Sequence, residues 1–164
     1  MALSGGGFEQ AYNAQAAVDA DTMLVVATGL SQATNDKEQI QPMLDTLDQQ
    51  GFSAGIVKTL IADTGYCSAA NISACQAAGI APLTPEASVT ETMAHTLKTK
   101  AGRALYKLRK QTVEPVFGII KSVLGFRQFS LRGINKVRGE WSLVCMAWNL
   151  KRMAVLRPKT ALNP

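Results

Sequence analysis

From Tyr12 the chain alternates, Tyr12, Ala14, Ala16 and Val18 on one parity and Asn13, Gln15, Ala17 and Asp19 on the other. A period of two predicts a strand with one face buried. Asp19 to Thr22 supplies a turn, and Met23 to Leu30 is an apolar, β-branched run, so residues 12–30 read as an antiparallel hairpin. Asn35 followed three positions later by Glu38 is a helix-start signature, and Ile40, Met43, Leu44 and Leu47 then share one stripe before Gly51 stops it. Pro42 inside that stripe is tolerable near the first turns but liable to kink the helix. Val57 to Ala62 predicts a buried strand, Ser68 caps a helix ending at Gly79, and Ile80 to Leu83 begins another short strand. The expected order is β, β, α, β, α, β.

Residues 85–100 carry Pro, Ser and Thr with few large apolar side chains and read as a flexible excursion. From Arg103 the spacing turns helical, with Leu105, Leu108 and Val113 in one apolar set and Val116, Phe117, Ile120 and Leu124 in a second. Pro115 between them implies either a break, with a new helix beginning near Thr112, or a kink in one long helix; the break is the preferred reading. Gly125 ends the segment. Ile134 to Leu156 is helical and apolar nearly all round at Trp141 to Leu150, which predicts a core helix.

A chain of 164 residues with 47% hydrophobic and 18% charged side chains fits one soluble globular domain. No apolar run reaches membrane-spanning length, and Met1 to Gln10 lacks the basic start and apolar stretch of an export signal, so a cytoplasmic location without membrane partners is expected. Cys67, Cys75, Cys145 and His95 have no zinc or disulfide spacing and read as buried thiols and a loop imidazole. The glycine run in Ser4 to Gly7 lacks the Lys-Ser/Thr of a phosphate loop.

Charge changes the picture more. Residues 1–95 hold two lysines against ten acids, a net of −8, whereas residues 96–164 hold fifteen cations against two acids, a net of +13. Such separation implies that the second half faces a polyanion, DNA or RNA before an acidic lipid surface. Within that half Glu114 stands at helical spacing among cations, with Lys107 and Lys121 seven positions to either side and Lys110 four before. A carboxylate on a basic stripe suits a metal ligand held against phosphates, although a solvated helix face mixes charges in the same way. In the acidic half, the strand ending at Ala62 runs into Asp63-Thr64-Gly65-Tyr66, which sets a carboxylate at the carboxyl end of a strand, where open α/β sheets carry chemistry. The plain alternative is an aspartate serving its own turn.

Four segments together resemble the carboxyl-terminal part of the catalytic domain of a bacterial insertion-sequence DDE transposase. They are Tyr12-Asn13-Ala14-Gln15-Ala16-Ala17-Val18-Asp19; Ala62-Asp63-Thr64-Gly65-Tyr66; Val113-Glu114-Pro115-Val116-Phe117-Gly118 with Lys121; and Arg132-Gly133 with Trp141 and Asn149-Leu150-Lys151-Arg152. The resemblance implies an α/β, ribonuclease H-like mixed sheet with flanking helices, and three acids that hold two Mg²⁺ or Mn²⁺ ions for cleavage and transfer of DNA strands. By this likeness Asp63 is the second acid and Glu114 the third, both catalytic and metal-binding. A signature of the wider group joins Tyr, Arg, Glu and Lys, here Tyr106, Arg109, Glu114 and Lys121; the Arg to Glu interval is one residue longer than usual, so Lys110 can take the role of Arg109. With Lys107, these basic and aromatic residues are the expected DNA contacts, and Lys121 the one gripping phosphate near the cleaved bond.

The first acid of the pattern precedes the hairpin and is not matched. Asp19 and Asp21 belong to the hairpin turn and Asp36 to a helix start, so none is an obvious replacement. The chain therefore reads as a single truncated catalytic domain lacking the first, central strand, with an acidic α/β part (1–84), a flexible insertion (85–102) and a basic helical part (103–164). Exposed strand edges would have to meet each other, be covered by residues 1–10 or pair with another chain. Expected partners are DNA, both transposon ends and target, and a second transposase chain. Little or no transposition activity is expected of the isolated chain, and a non-catalytic DNA-binding or oligomerising fragment that inhibits full-length transposase is the alternative. An unrelated nucleic-acid-binding domain would require Asp63 and Glu114 to lie far apart.

Overall fold

The hairpin forms where alternation places it. In the computed structural model, which describes residues 11–33, 35–52, 55–83 and 98–157, strands β1 (Asn13–Val18) and β2 (Val25–Ser31) pair antiparallel with Gln15 opposite Gly29. The Asp19 carboxylate accepts both the backbone N–H and the hydroxyl of Thr22, and Met23 completes the turn at φ 61°. The period of two holds, but burial of a single face does not. Ala14, Ala16 and Val18 pack against the cluster of Val116 and Trp141, while Gln15 on the opposite face is only 5% exposed. Helix α1 (Ile40–Gln49) covers that second face: a Cβ added at Gly29 would lie 3.4 Å from Met43 Cε and 3.6 Å from Gln15 Cβ.

α1 begins at Ile40 rather than near Asn35, behind Gln39, which makes no side-chain capping bond. Asn35 instead accepts the N–H of Lys37 within a turn. The later start sets Pro42 in the first helical turn, where backbone N–H groups have no intrahelical partner to lose, so the proline costs little.

Strands β3 (Thr59–Ile61) and β4 (Ala81–Leu83) pair in parallel, connected through a short 3₁₀ turn, Thr64–Tyr66, and helix α2 (Ala69–Ala77). The Ser68 hydroxyl caps α2 by accepting the N–H of Asn71, and Gly79 leaves it at φ 70°, a conformation that favours glycine. The expected mixed sheet is thus found as two separate ladders, one antiparallel and one parallel, with no hydrogen bonds joining them among the described residues.

The basic half holds two long helices, α3 (Lys100–Ser122) and α4 (Ile134–Leu156). α3 starts three residues before the apolar spacing indicated because the Thr99 hydroxyl accepts the N–H of Gly102. It is one helix with Pro115 inside it, so the expected break near Thr112 is overturned. Pro115 leaves the carbonyl of Gln111 without its helical donor, and Gln111 is exposed, so water can serve that oxygen. Val116 and Ile120 are 0% and 1% exposed, and burial worth roughly 1.5–3 kcal/mol each offsets the roughly 3 kcal/mol that proline costs in a helix.

α4 has the expected bounds but is not a core helix. Val137, Trp141, Cys145 and Trp148 form its buried stripe, while Leu143, Met146, Leu150 and Met153 are exposed. The buried side clasps the hairpin through main-chain atoms: Trp141 Nε1 donates to the carbonyl of Gln15 at 2.9 Å, Trp148 Nε1 to Met23 at 2.8 Å and Arg152 Nε to Thr22 at 2.7 Å. Phe117 stacks on Trp141, and Phe126 and Phe129 meet edge to face beside it. Burial pushes the Cys145 thiol up to about 12 and raises that of Cys75, in keeping with inert core thiols. The glycine run of Ser4 to Gly7, His95 and most of the expected insertion lie outside the described residues. No described helix is long and apolar enough to cross a membrane.

Candidate functional site

Asp63 leaves the end of β3 in extended conformation and caps the 3₁₀ turn, its Oδ1 accepting the N–H of Thr64 at 2.8 Å. The turn-serving role is therefore real. It occupies one carboxylate oxygen and leaves the other for a partner 46 positions away: Arg109 Nη1 donates to Asp63 Oδ2 at 3.2 Å. The second terminal nitrogen of the same guanidinium, Nη2, lies 3.7 Å from Glu114 Oε1. One cation on α3 thereby gathers the two acids from opposite charge halves of the chain.

Exposure matters to what this arrangement can do. The side chains of Asp63 and Glu114 are 53% and 56% exposed and that of Arg109 18%, so both carboxylates face solvent across a partly covered cation. Ion pairs this open contribute about 0–1 kcal/mol each. Tyr106 lies one helical turn before Arg109, with the guanidinium carbon 5.6 Å from its ring centroid. Arg109 Nε is buried without a hydrogen-bond partner among the described residues.

Because α3 is unbroken, Lys107, Lys110, Glu114 and Lys121 do occupy one helical stripe. All three lysines are exposed. Among the described residues the ion pairs to Asp63 and Glu114 come from Arg109 alone. The structure thus brings Asp63, Arg109, Glu114 and Tyr106 together and leaves Lys107, Lys110 and Lys121 as a solvated basic row on the same helix.

One further acid stands beside this group. Asp36, expected at a helix start, instead accepts Asn13 Nδ2 at 2.6 Å and Gln15 Nε2 at 3.0 Å on Oδ1. Its Oδ2 would lie 3.5 Å from a Cβ added at Gly65, so Asp36 abuts the turn that carries Asp63. The available signal was the pair of amides two positions apart on β1, which share a face and need a common acceptor once α1 buries it. Asp19 is consumed by its own turn and Asp21 is exposed there. Tyr66 reports the local field: its phenol is pushed up to about 12, first by burial and then by the charges of Asp36 and Asp63.

Asp63 and Glu114 are hard oxygen donors aimed at one positive group, a donor set suited to a divalent cation whose remaining positions go to water or phosphate oxygens. Among the described residues no three of His, Cys, Asp and Glu are grouped closely enough to hold a metal ion, so this pair stands without a third ligand. A family model described as Transposase DDE domain matches residues 3–150. No curated protein and no solved structure matches the chain.

Proposed function

The chain belongs to the transposase DDE domain family, and on that premise we propose that Asp63 and Glu114 are two of the acids of a metal-dependent DNA strand-transfer site in a single ribonuclease H-like domain. The observation that supports this most is their convergence on one guanidinium, from a strand end in the acidic half and a helix in the basic half. The competing picture of an unrelated nucleic-acid binder needs these side chains apart.

Divalent ions, Mg²⁺ or Mn²⁺ and two in a complete site, supply activation of a water or 3′-hydroxyl and stabilisation of the leaving oxygen. The protein's own contribution is placement. Asp63 is oriented by the Thr64 N–H, which leaves its second oxygen outward; Glu114 projects from the helix opposite; Lys107, Lys110 and Lys121 extend a row along which phosphates of one strand can be neutralised. Phosphate contacts of this kind set position and carry no base preference. Two carboxylates bind an ion less firmly than three, so the described residues by themselves support DNA binding better than turnover. The test is binding of a labelled duplex with and without Mn²⁺. Mn²⁺ is expected to tighten binding by the wild-type chain and to do so much less for Asp63→Asn and Glu114→Gln; equal tightening in both variants contradicts the proposal.

A further inference from the structure

Two carboxylates held at half exposure on separate elements repel each other unless a cation lies between them, and here that cation belongs to the chain. Resting on the metal reading above, we propose that Arg109 is an internal counter-ion for the metal-free site, which holds Asp63 and Glu114 together until a divalent ion displaces it. Its contacts have the character of an exchangeable partner. A strong arginine–carboxylate pair is bidentate with N···O distances of about 2.7–2.9 Å. Arg109 instead offers one nitrogen to each acid, at 3.2 and 3.7 Å.

Occupancy is also exclusive. Mg²⁺ binds oxygen at about 2.0–2.1 Å, and an ion drawing both acids that close takes the place where the guanidinium now stands. The ion and the guanidinium cannot share that place, so the side chain has to move. Tyr106 already holds the guanidinium carbon 5.6 Å from its ring centroid, so an Arg109 released by the acids stays tethered beside the site as a cation free to pair with phosphate. Metal entry would then release a phosphate-binding cation at the moment the carboxylates are engaged, which couples metal loading to grip on DNA.

Removing the counter-ion should therefore favour the metal. A half-exposed ion pair is worth up to about fivefold in an equilibrium, and metal must displace two such pairs, so Arg109→Gln is expected to bind Mn²⁺ roughly three- to tenfold more tightly than wild type. The measurement is the loss of the free-Mn²⁺ electron paramagnetic resonance signal on titration into the full chain, without DNA. Arg109→Lys, which keeps a charge, is expected to fall between the two. Unchanged or weaker binding by Arg109→Gln overturns the displacement of Arg109 alone, whereas no saturable Mn²⁺ binding by either protein overturns the metal reading and this proposal with it. Should Arg109→Gln lose its helical circular dichroism, Mg²⁺ titration of the ¹⁵N-labelled wild type decides instead. A saturable shift of the Arg109 Nε–H resonance is expected, and a resonance that stays in place while the backbone amides of Asp63 and Glu114 shift contradicts it.

Discussion

Asn149 closes both main-chain groups of Val25 with one side chain, Oδ1 accepting the Val25 N–H and Nδ2 donating to the Val25 carbonyl, each at 2.8 Å. An amide thereby pairs the start of β2 as a neighbouring strand would. Val25 is 7% exposed, so losing this partner leaves two polar groups with little access to water. Asn149→Ala is expected to destabilise the fold by about 1–3 kcal/mol for each group left unpaired, read as a lower urea midpoint at unchanged slope. A loss under about 0.5 kcal/mol, the usual range of a surface change, contradicts this role.

Tyr66 provides a pH signature of the acids around the site. Its pKa stands at about 12 against an ordinary value of 10.0, raised by burial, then Asp36, then Asp63. A raised folded value favours the protonated folded state, so the contribution is complete below pH 10, where both states hold the proton, and is lost as pH rises toward 12. Unfolding free energy is therefore expected to fall across that window in the wild type and less steeply in Tyr66→Phe. Asp36→Asn is expected to move the tyrosinate absorbance transition of Tyr66 downward; a transition unmoved by that change contradicts the proximity of Asp36.

Lys107, Lys110 and Lys121 are exposed and, among the described residues, form no ion pair with an acid, so their expected work is ionic pairing with phosphate. Changing each to Gln is expected to weaken duplex binding about equally for unrelated sequences and to flatten the log–log salt dependence by about 0.9 for each phosphate no longer neutralised. Fluorescence anisotropy at several salt concentrations measures both. A substitution that weakens one sequence selectively, or leaves the salt slope unchanged, contradicts a phosphate role for that lysine.

Much of the fold was legible because its signals are local. The Ser68 cap, the Gly79 and Gly125 stops and the apolar spacing from Ile40 to Leu47 each depend on residues a turn apart. What escaped depends on neighbours remote in the chain. The Asn35 and Glu38 pattern mimics a helix start, yet Asp36 is claimed by Asn13 and Gln15, more than twenty positions earlier, and the helix waits until Ile40. Pro115 argued for a break, and the burial of Val116 and Ile120 against the hairpin and Trp141 overrode it. The apolar circumference of α4 suggested a core helix because composition does not say how many sides have partners. At the candidate site, strand-end placement and helical spacing singled out Asp63 and Glu114, but nothing in the spacing foretold that Arg109 would stand between them.

Above all, Asp63 and Glu114 should face a single divalent ion. Replacing Mg²⁺ with Fe²⁺ in the presence of ascorbate and peroxide cuts a backbone where the ion is held, and mass spectrometry locates the cuts. Cleavage is expected in two segments, around Asp63 and around Glu114, both suppressed by excess Mg²⁺ and both lost in either Asp63→Asn or Glu114→Gln. Cuts confined to one segment, or a second segment that survives loss of the other acid, would contradict a shared ion.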